Sequence, residues 1–249
     1  MLMESKSFLL IRRQVAQSPL FHDVPQVLLD ELLHEFRYEY WRRKAIPSKG
    51  SCAQYFYLLL SGRLEVVHTH PETGRSVTLY LLQPGDGFDV IVLLDGEPHD
   101  MALLSDTDVE VLAVPIDTMR QWIWNHPEIN RNLMPYLARR MREQEEMTAN
   151  IALYDTVSRL SRLILKHATL NRDYRGDDSE AHRSHLVNGF SDEMLARMIG
   201  SVRQVVNKHL QLWQRSGFLK KQRNSLEIKD LRAIERVARD FLDSLKKSA

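Results

Sequence analysis

Between residues 45 and 116 the chain is cut by Gly50, Gly62, Gly74, Gly85, Gly87 and Gly96 into apolar runs too short for helices. YFYLLLSGRLEVVHTH, RSVTLYLLQPGDGF and DTDVEVLAVP are rich in β-branched and aromatic residues, and Pro71–Arg75 has the composition of a hairpin tip. Short strands at close, regular spacing each have a face to bury, and they bury it by curling into a small antiparallel barrel or roll. Upstream, residues 7–44 predict helix, because Leu28, Leu29, Leu32, Leu33 and Phe36 recur at three-to-four spacing and Pro25 suits a first turn.

Downstream, Pro127 suits the first turn of a long helix reaching about residue 154. On it, Leu133, Leu137, Met141, Gln144, Thr148 and Ile151 approximate a seven-residue repeat, as in a helix that pairs with its own copy. Packing against its own domain is the alternative. Pro135 lies inside this pattern and predicts a kink or a restart. A further amphipathic helix is expected from Asp155 to about Leu170, then a polar, exposed loop over Asn171–Ser184. The last sixty residues predict two short helices, a tight turn and a basic tail segment.

With 249 residues, 43% of them hydrophobic, the chain can fill two modest cores. No apolar run reaches the length of a membrane span, and the opening MLMESKSFLLIRRQV lacks the layout of a signal peptide. Cys52 is alone, which excludes an intrachain disulfide and any cysteine-ligated zinc or iron–sulfur site within one chain. The expectation is a soluble, cytoplasmic protein with no membrane partner. Net charge is only +1, but it is polarised: residues 1–150 hold 15 Lys/Arg against 21 Asp/Glu, and residues 188–249 hold 13 against 7. A basic end beside an acidic body suits contact with a polyanion, since neutralised phosphates release counterions. Patchiness on a solvated surface is the plainer alternative.

Within that basic end stands GFSDEMLARMIGSVRQVVNKHLQLWQRSGFL. Ser191 can cap a helix whose first turn holds Asp192 and Glu193, with Leu195, Met198 and Ile199 inward and Ala196 small at a helix crossing. Gly200 permits a left-handed turn, and a second helix follows with Val206, Leu210 and Trp213 inward before Gly217 closes it. Its polar face carries Arg203, Gln204, Asn207, Lys208 and Gln211. Arg bonds guanine O6 and N7 together, Gln or Asn does the same for adenine N6 and N7, and Lys serves guanine or phosphate. Arg203, Gln204, Asn207 and Lys208 are therefore the expected base readers. Ser191, Ser201, Gln211 and the cations Lys220, Lys221 and Arg223 of a short β-wing are expected at the DNA backbone. A helical hairpin with a solvated polar face is the alternative.

In this order the segments resemble the CRP/FNR superfamily of bacterial regulators, over about residues 17–230. YFYLLLSGRLEVV and LLQPGDGF are similar to that family's sensor domain, NIALYDTVSRLSRLIL to its dimerisation helix and hinge, and SDEMLARMIGSVRQVVNKHLQLWQRSGFL to its DNA-binding motif. The resemblance implies an α+β fold: a jelly-roll-like antiparallel β-roll with N-terminal helices over 1–126, a dimerisation helix over 127–154, and a winged helix-turn-helix domain over 155–249. It also implies a homodimer on a two-fold symmetric operator in double-stranded DNA, with the 171–185 loop either a contact for RNA polymerase or an inert linker. Arg203 stands at the family's guanine-reading Arg, Lys208 at a second basic reader, and Gln204 where the family usually has Glu. Val202 occupies the usual Ser/Thr cap position, leaving Ser201 as the alternative cap.

The sensor segment departs from its cyclic-nucleotide-binding members. In FDVIVLLDGEPHDMALL, Val90 occupies the Glu position and Asp100-Met101 the Arg-Ser/Thr positions that grip ribose and phosphate. Asp95, Glu97 and Asp100 would face a cyclic phosphate with no anchoring cation, so cyclic AMP is not expected to bind in the usual way. Val90, Leu93, His99, Asp100, Met101 and Gln144 are the candidate pocket residues for an unidentified effector. His99 and Met147 could serve a haem in a redox or gas sensor, and His68 with His70 share a strand face. A surface His, a helix Met and solvated hairpin histidines are the plainer readings, since two ligands do not complete a structural metal site. Trp122 and Trp124 flank the approach to the long helix, as pocket liners or as packing anchors. No nucleophile–base set, phosphate-cradling Gly loop or metal-ligand cluster is present, so no catalysis is expected. A cyclic-nucleotide-binding module acting on a protein partner is the remaining rival, and it leaves the basic motif idle.

Overall fold

The computed structural model describes residues 5–43, 54–97, 101–172, 183–222 and 225–247. Cys52, His99, Asp100, Arg223 and most of the expected 171–184 loop lie outside them. The chain divides into two compact units, Met1–Arg75 with Leu79–Gln144, and Ser76–Thr78 with Glu145–Ala249.

The first unit opens with helices α1 (Ser5–Ala16) and α2 (Gln26–Glu35), then strand β1 (Arg37–Trp41). Helix was expected through residue 44, and the strand corrects it. RYEYW has alternating faces and β-favouring aromatics, and it pairs antiparallel with Val109–Pro115 from Arg37 opposite Ala113 to Trp41 opposite Val109. β2 (Tyr55–Ser61), β3 (Leu64–Thr69), β4 (Ser76–Leu82), β5 (Gly87–Phe88), helix α3 (Val90–Asp95), β6 (Ala102–Leu104), β7 (Val109–Pro115) and helix α4 (Ile116–Asn125) follow. They form two sheets, ordered β1-β7-β2-β5 and β4-β3-β6. Between β3 and β4 the expected hairpin tip closes, with the His70 N–H donating to the Arg75 carbonyl at 2.8 Å.

β2 explains why its run is apolar without alternation: both of its faces are buried. Phe56, Leu58 and Leu60 join Leu29, Leu32, Leu112 and Ile129 beneath the helices. Tyr57 and Leu59 point the other way, among Trp41, Leu64, Val66 and Val111 inside the roll. Helix α5 (Pro127–Leu153) runs without interruption through Pro135, so it does not restart there. Pro135 cannot donate to the carbonyl four residues back, but Ile129, Leu133 and Tyr136 on either side of it are anchored in the core.

In the second unit, helix α6 (Thr156–His167) is capped by Asp155, whose Oδ1 accepts from the Ser158 N–H at 2.7 Å. β8 (Thr169–Arg172) pairs with β9 (Arg183–Asn188), so the ends of the expected loop are strands. Helices α7 (Asp192–Met198) and α8 (Arg203–Arg215), strands β10 (Leu219–Gln222) and β11 (Ser225–Ile228), and helix α9 (Leu231–Lys247) complete it. The sheet order is β10-β11-β9-β8. α9 occupies the stretch expected as a basic tail; it packs on α6, burying Ala233, Ile234 and Ala238.

Candidate nucleic-acid interface and sensor site

The two helices of the basic motif are built from their caps inward. The Ser191 hydroxyl accepts from the Met194 N–H at 3.2 Å, and Asp192 and Glu193 occupy the positive end of α7. Met194, Leu195 and Ala196 are buried. Gly200 then adopts φ +62°, with its N–H bonded to the Arg197 carbonyl and the Ser201 N–H to the Ala196 carbonyl, the double bond pattern of a Schellman stop. The same pattern ends α8: Gly217 at φ +77° bonds Gln214, and the Phe218 N–H bonds the Trp213 carbonyl. Both stops match the glycines that marked them in the sequence.

Helix α8 begins at Arg203 with Val202 as its cap residue and no side-chain cap. Ser201 therefore does not supply the cap expected of it. Val206, Leu210 and Trp213 are buried, while Arg203, Gln204, Lys208 and Gln211 are exposed together on the side away from the core. The wing is present as the antiparallel pair β10–β11, Leu219 opposite Ile228, with Lys220 exposed.

Two expected DNA contacts are already occupied inside the fold. The Lys221 ammonium lies 2.5 Å from Asp192 Oδ2 and 3.2 Å from Asn207 Oδ1. Asn207 is half-buried against the wing instead of standing free with Gln204 and Lys208. Gln214 also ties the wing to α8, its Oε1 accepting from the Lys221 N–H at 3.2 Å. No sequence periodicity links Asp192 to Lys221, which is why the pairing was not foreseen.

A family model described as Crp-like helix-turn-helix domain matches residues 158–237, and one described as Cyclic nucleotide-binding domain matches residues 39–126. The chain is 30% identical over 171 residues to the Global nitrogen regulator of Synechocystis sp., a match covering 68% of this chain and 73% of that protein. The chain belongs to the CRP/FNR family. It is also 24% identical over 226 residues to the CRP-like cAMP-activated global transcriptional regulator of Mycobacterium tuberculosis, covering 90% of this chain and 98% of that protein. A solved CooA mutant from Carboxydothermus hydrogenoformans shares the fold at TM-score 0.67 and 21% identity, over 84% of this chain and 90% of that one. As a CRP/FNR member the protein is a DNA-binding transcription regulator, and its relatives are regulators, not enzymes.

The sensor side of this CRP/FNR chain is less like its expectation. Val90 and Leu93 are buried in the core beneath the helices, lining a small apolar void with Phe56, Met119 and Leu133. Met101 is half-buried against the interior of the roll. Gln144, expected to reach across a dimer, donates from Nε2 to the Leu79 carbonyl of β4 at 2.8 Å. The polar cluster between roll and long helix was not anticipated. Asp86, buried in the turn before β5, accepts at Oδ1 from Arg139 at 2.8 Å and from Arg140 at 2.7 Å. The Tyr136 hydroxyl donates to the Gly87 carbonyl at 3.2 Å and accepts from Arg140 at 3.0 Å, while Arg140 also pairs with Glu143 at 2.8 Å. Burial raises the Tyr136 phenol, and the Arg140 charge opposes that rise. The four-residue spacing of Tyr136 and Arg140 was a legible signal for a shared helix face; the approach of Asp86 was not.

His68 and His70 are exposed, and His70 Nδ1 takes the Thr73 N–H at 3.3 Å, a hairpin role. Trp122 stacks on His126 at 4.5 Å and packs on the core, whereas Trp124 is exposed. Among the described residues no group of three or more His, Cys, Asp or Glu could hold a metal ion, and no helix is long and apolar enough to cross a membrane.

Proposed function

We propose that this regulator works in the cytoplasm as a homodimer on a two-fold symmetric operator, read by Arg203, Gln204 and Lys208. The observation that carries this reading is the solvent-facing cluster of those three side chains on α8, held by two Schellman stops and a buried Val206–Leu210–Trp213 stripe. Gln204 donates and accepts where a Glu only accepts, which favours adenine over cytosine as its partner. Dimerisation is supported by α5, where Met134, Met141 and Thr148 are exposed at seven-residue spacing, with Ile151 exposed beside them. Leu133 and Leu137, also expected on that face, pack on their own unit's core. The effector is proposed to be a small molecule other than cyclic AMP, acting where Asp86, Tyr136 and Arg140 join roll to helix. Support comes from Val90, an apolar core residue at the position the resemblance assigns to a ribose-gripping Glu, and from both arginines of the junction being engaged by Asp86. A change there would alter how two long helices pair, and hence the spacing of two α8 helices one turn of DNA apart.

The test is selection of bound DNA from a random pool by the full-length protein, with and without cell extract. A palindrome is expected, with adenine favoured opposite Gln204 and Arg203→Ala costing about 1–3 kcal/mol on it. Enrichment of no two-fold sequence under either condition would falsify the reading.

A further inference from the structure

A lysine ammonium has three donors and no acceptor, so the Asn207 atom facing Lys221 is the carbonyl oxygen. That oxygen is directed toward a cation which Asp192 holds in turn, and the Lys221 and Asp192 side chains are only 26% and 15% exposed. The amide nitrogen occupies the opposite side of the carboxamide. Reading adenine requires the oxygen and the nitrogen of one carboxamide to face the same base edge, one accepting from N6 and the other donating to N7. With the oxygen turned into the junction of α7, α8 and β10, that presentation is closed.

We propose that Lys221 is a positioning residue, clamped by Asp192, that makes Asn207 a donor-only contact. Asn207 then offers N–H groups to acceptors, either a phosphate oxygen or the acceptor atoms of guanine or thymine, and does not pair with adenine. The inference rests on α8 facing DNA. It also reassigns two residues: Lys221 leaves the set of phosphate contacts, and Asp192 gains a purpose beyond favouring a helix end. The Gln214 contact to the Lys221 N–H holds the strand that carries the clamp, seven residues along the same helix from Asn207.

The experiment measures affinity of the full-length protein for its selected half-site, the base preference at every position, and the slope of log affinity against log salt. Lys221→Met is expected to weaken binding about five- to tenfold, as loss of one positioned hydrogen bond does. The salt slope stays that of the wild type, because no cation has left a phosphate and a neutral amide contact releases no counterion. In an Asn207→Ala background Lys221→Met is expected to change nothing further, which separates positioning from simple loss of fold. Lys221→Arg, which keeps a donor-only cation facing the oxygen, is expected to restore binding. Asn207→Ala tells the two acceptor sources apart: even weakening across half-sites means phosphate, and a change confined to one base pair means a guanine or thymine edge. A fall in slope of about 0.9 on Lys221→Met, undiminished without Asn207, means that Lys221 itself touches phosphate and overturns the proposal. Failure of the wild type to enrich any half-site is a separate result, and it removes the DNA-facing premise.

Discussion

An exposed cation and a clamped one have different value to a DNA backbone. Arg203, Lys208 and Lys220 keep their solvation and can exchange it for phosphate or a base edge, whereas Lys221 must first leave Asp192. Beside Lys208, the imidazole of His209 is half-buried on α8. Burial holds its pKa below the ordinary value of about 6.5, Lys208 lowers it further, and Asp155 pulls in the opposite direction. The folded state therefore keeps His209 neutral at a pH where the unfolded chain would protonate it. The stability this contributes is complete above about pH 6.5 and is lost as pH falls through the folded-state value, because the unfolded state then binds more protons. Thermal unfolding between pH 7.5 and 5.5 should show the wild type losing stability more steeply than His209→Gln. Equal slopes for the two proteins would show that His209 is not the group responsible.

At the scale of elements, the helix-turn-helix stands on its two left-handed stops. A Cβ at residue 200 would meet Arg159 Nη1 at 3.6 Å and Ile151 Cδ1 at 3.9 Å, ordinary contact distances, so Gly200→Ala tests backbone strain without a clash. The cost expected is about 1–2 kcal/mol, read as a lower urea midpoint at unchanged m-value. An unaltered midpoint would mean that the turn does not need its glycine. These stops were legible in the sequence because a glycine after a periodic apolar run has a local cause and a local effect. Strand β1 was not legible, since the three-to-four apolar spacing ending at Phe36 ran straight into it. Only the pairing of Arg37–Trp41 with β7 makes RYEYW a strand. The strands flanking the 171–184 segment were missed for the same reason. Helix α9, by contrast, was legible: Leu231, Ile234, Val237, Phe241, Leu242 and Leu245 recur at three-to-four spacing, and the basic residues between them drew the reading to a tail.

For the molecule as a whole, the proposed function depends on two copies presenting two α8 helices together. If α5 pairs through its exposed stripe, Met141→Glu places two carboxylates in an apolar seam, and dimer dissociation should rise at least about tenfold. Sedimentation equilibrium reads that change directly, and operator binding should become correspondingly dependent on protein concentration. An unchanged dimer would move the interface off this stripe. The expected seam included Leu133, and the tertiary structure decided otherwise: the roll needed that side chain, and Met134 beside it was left outside. What the sequence determined by itself was whatever depends on near neighbours along the chain. The Gly-cut strands, the capped helix pair and the polar face with Arg203, Gln204 and Lys208 are all of that kind. What only the tertiary structure decided was which side chains are already taken. Asp192 reaches Lys221 across 29 residues, and Arg140 reaches Asp86 across more than fifty. Such pairs leave no period in the sequence, because a contact closed by folding depends on where two elements come to rest and not on the spacing within either.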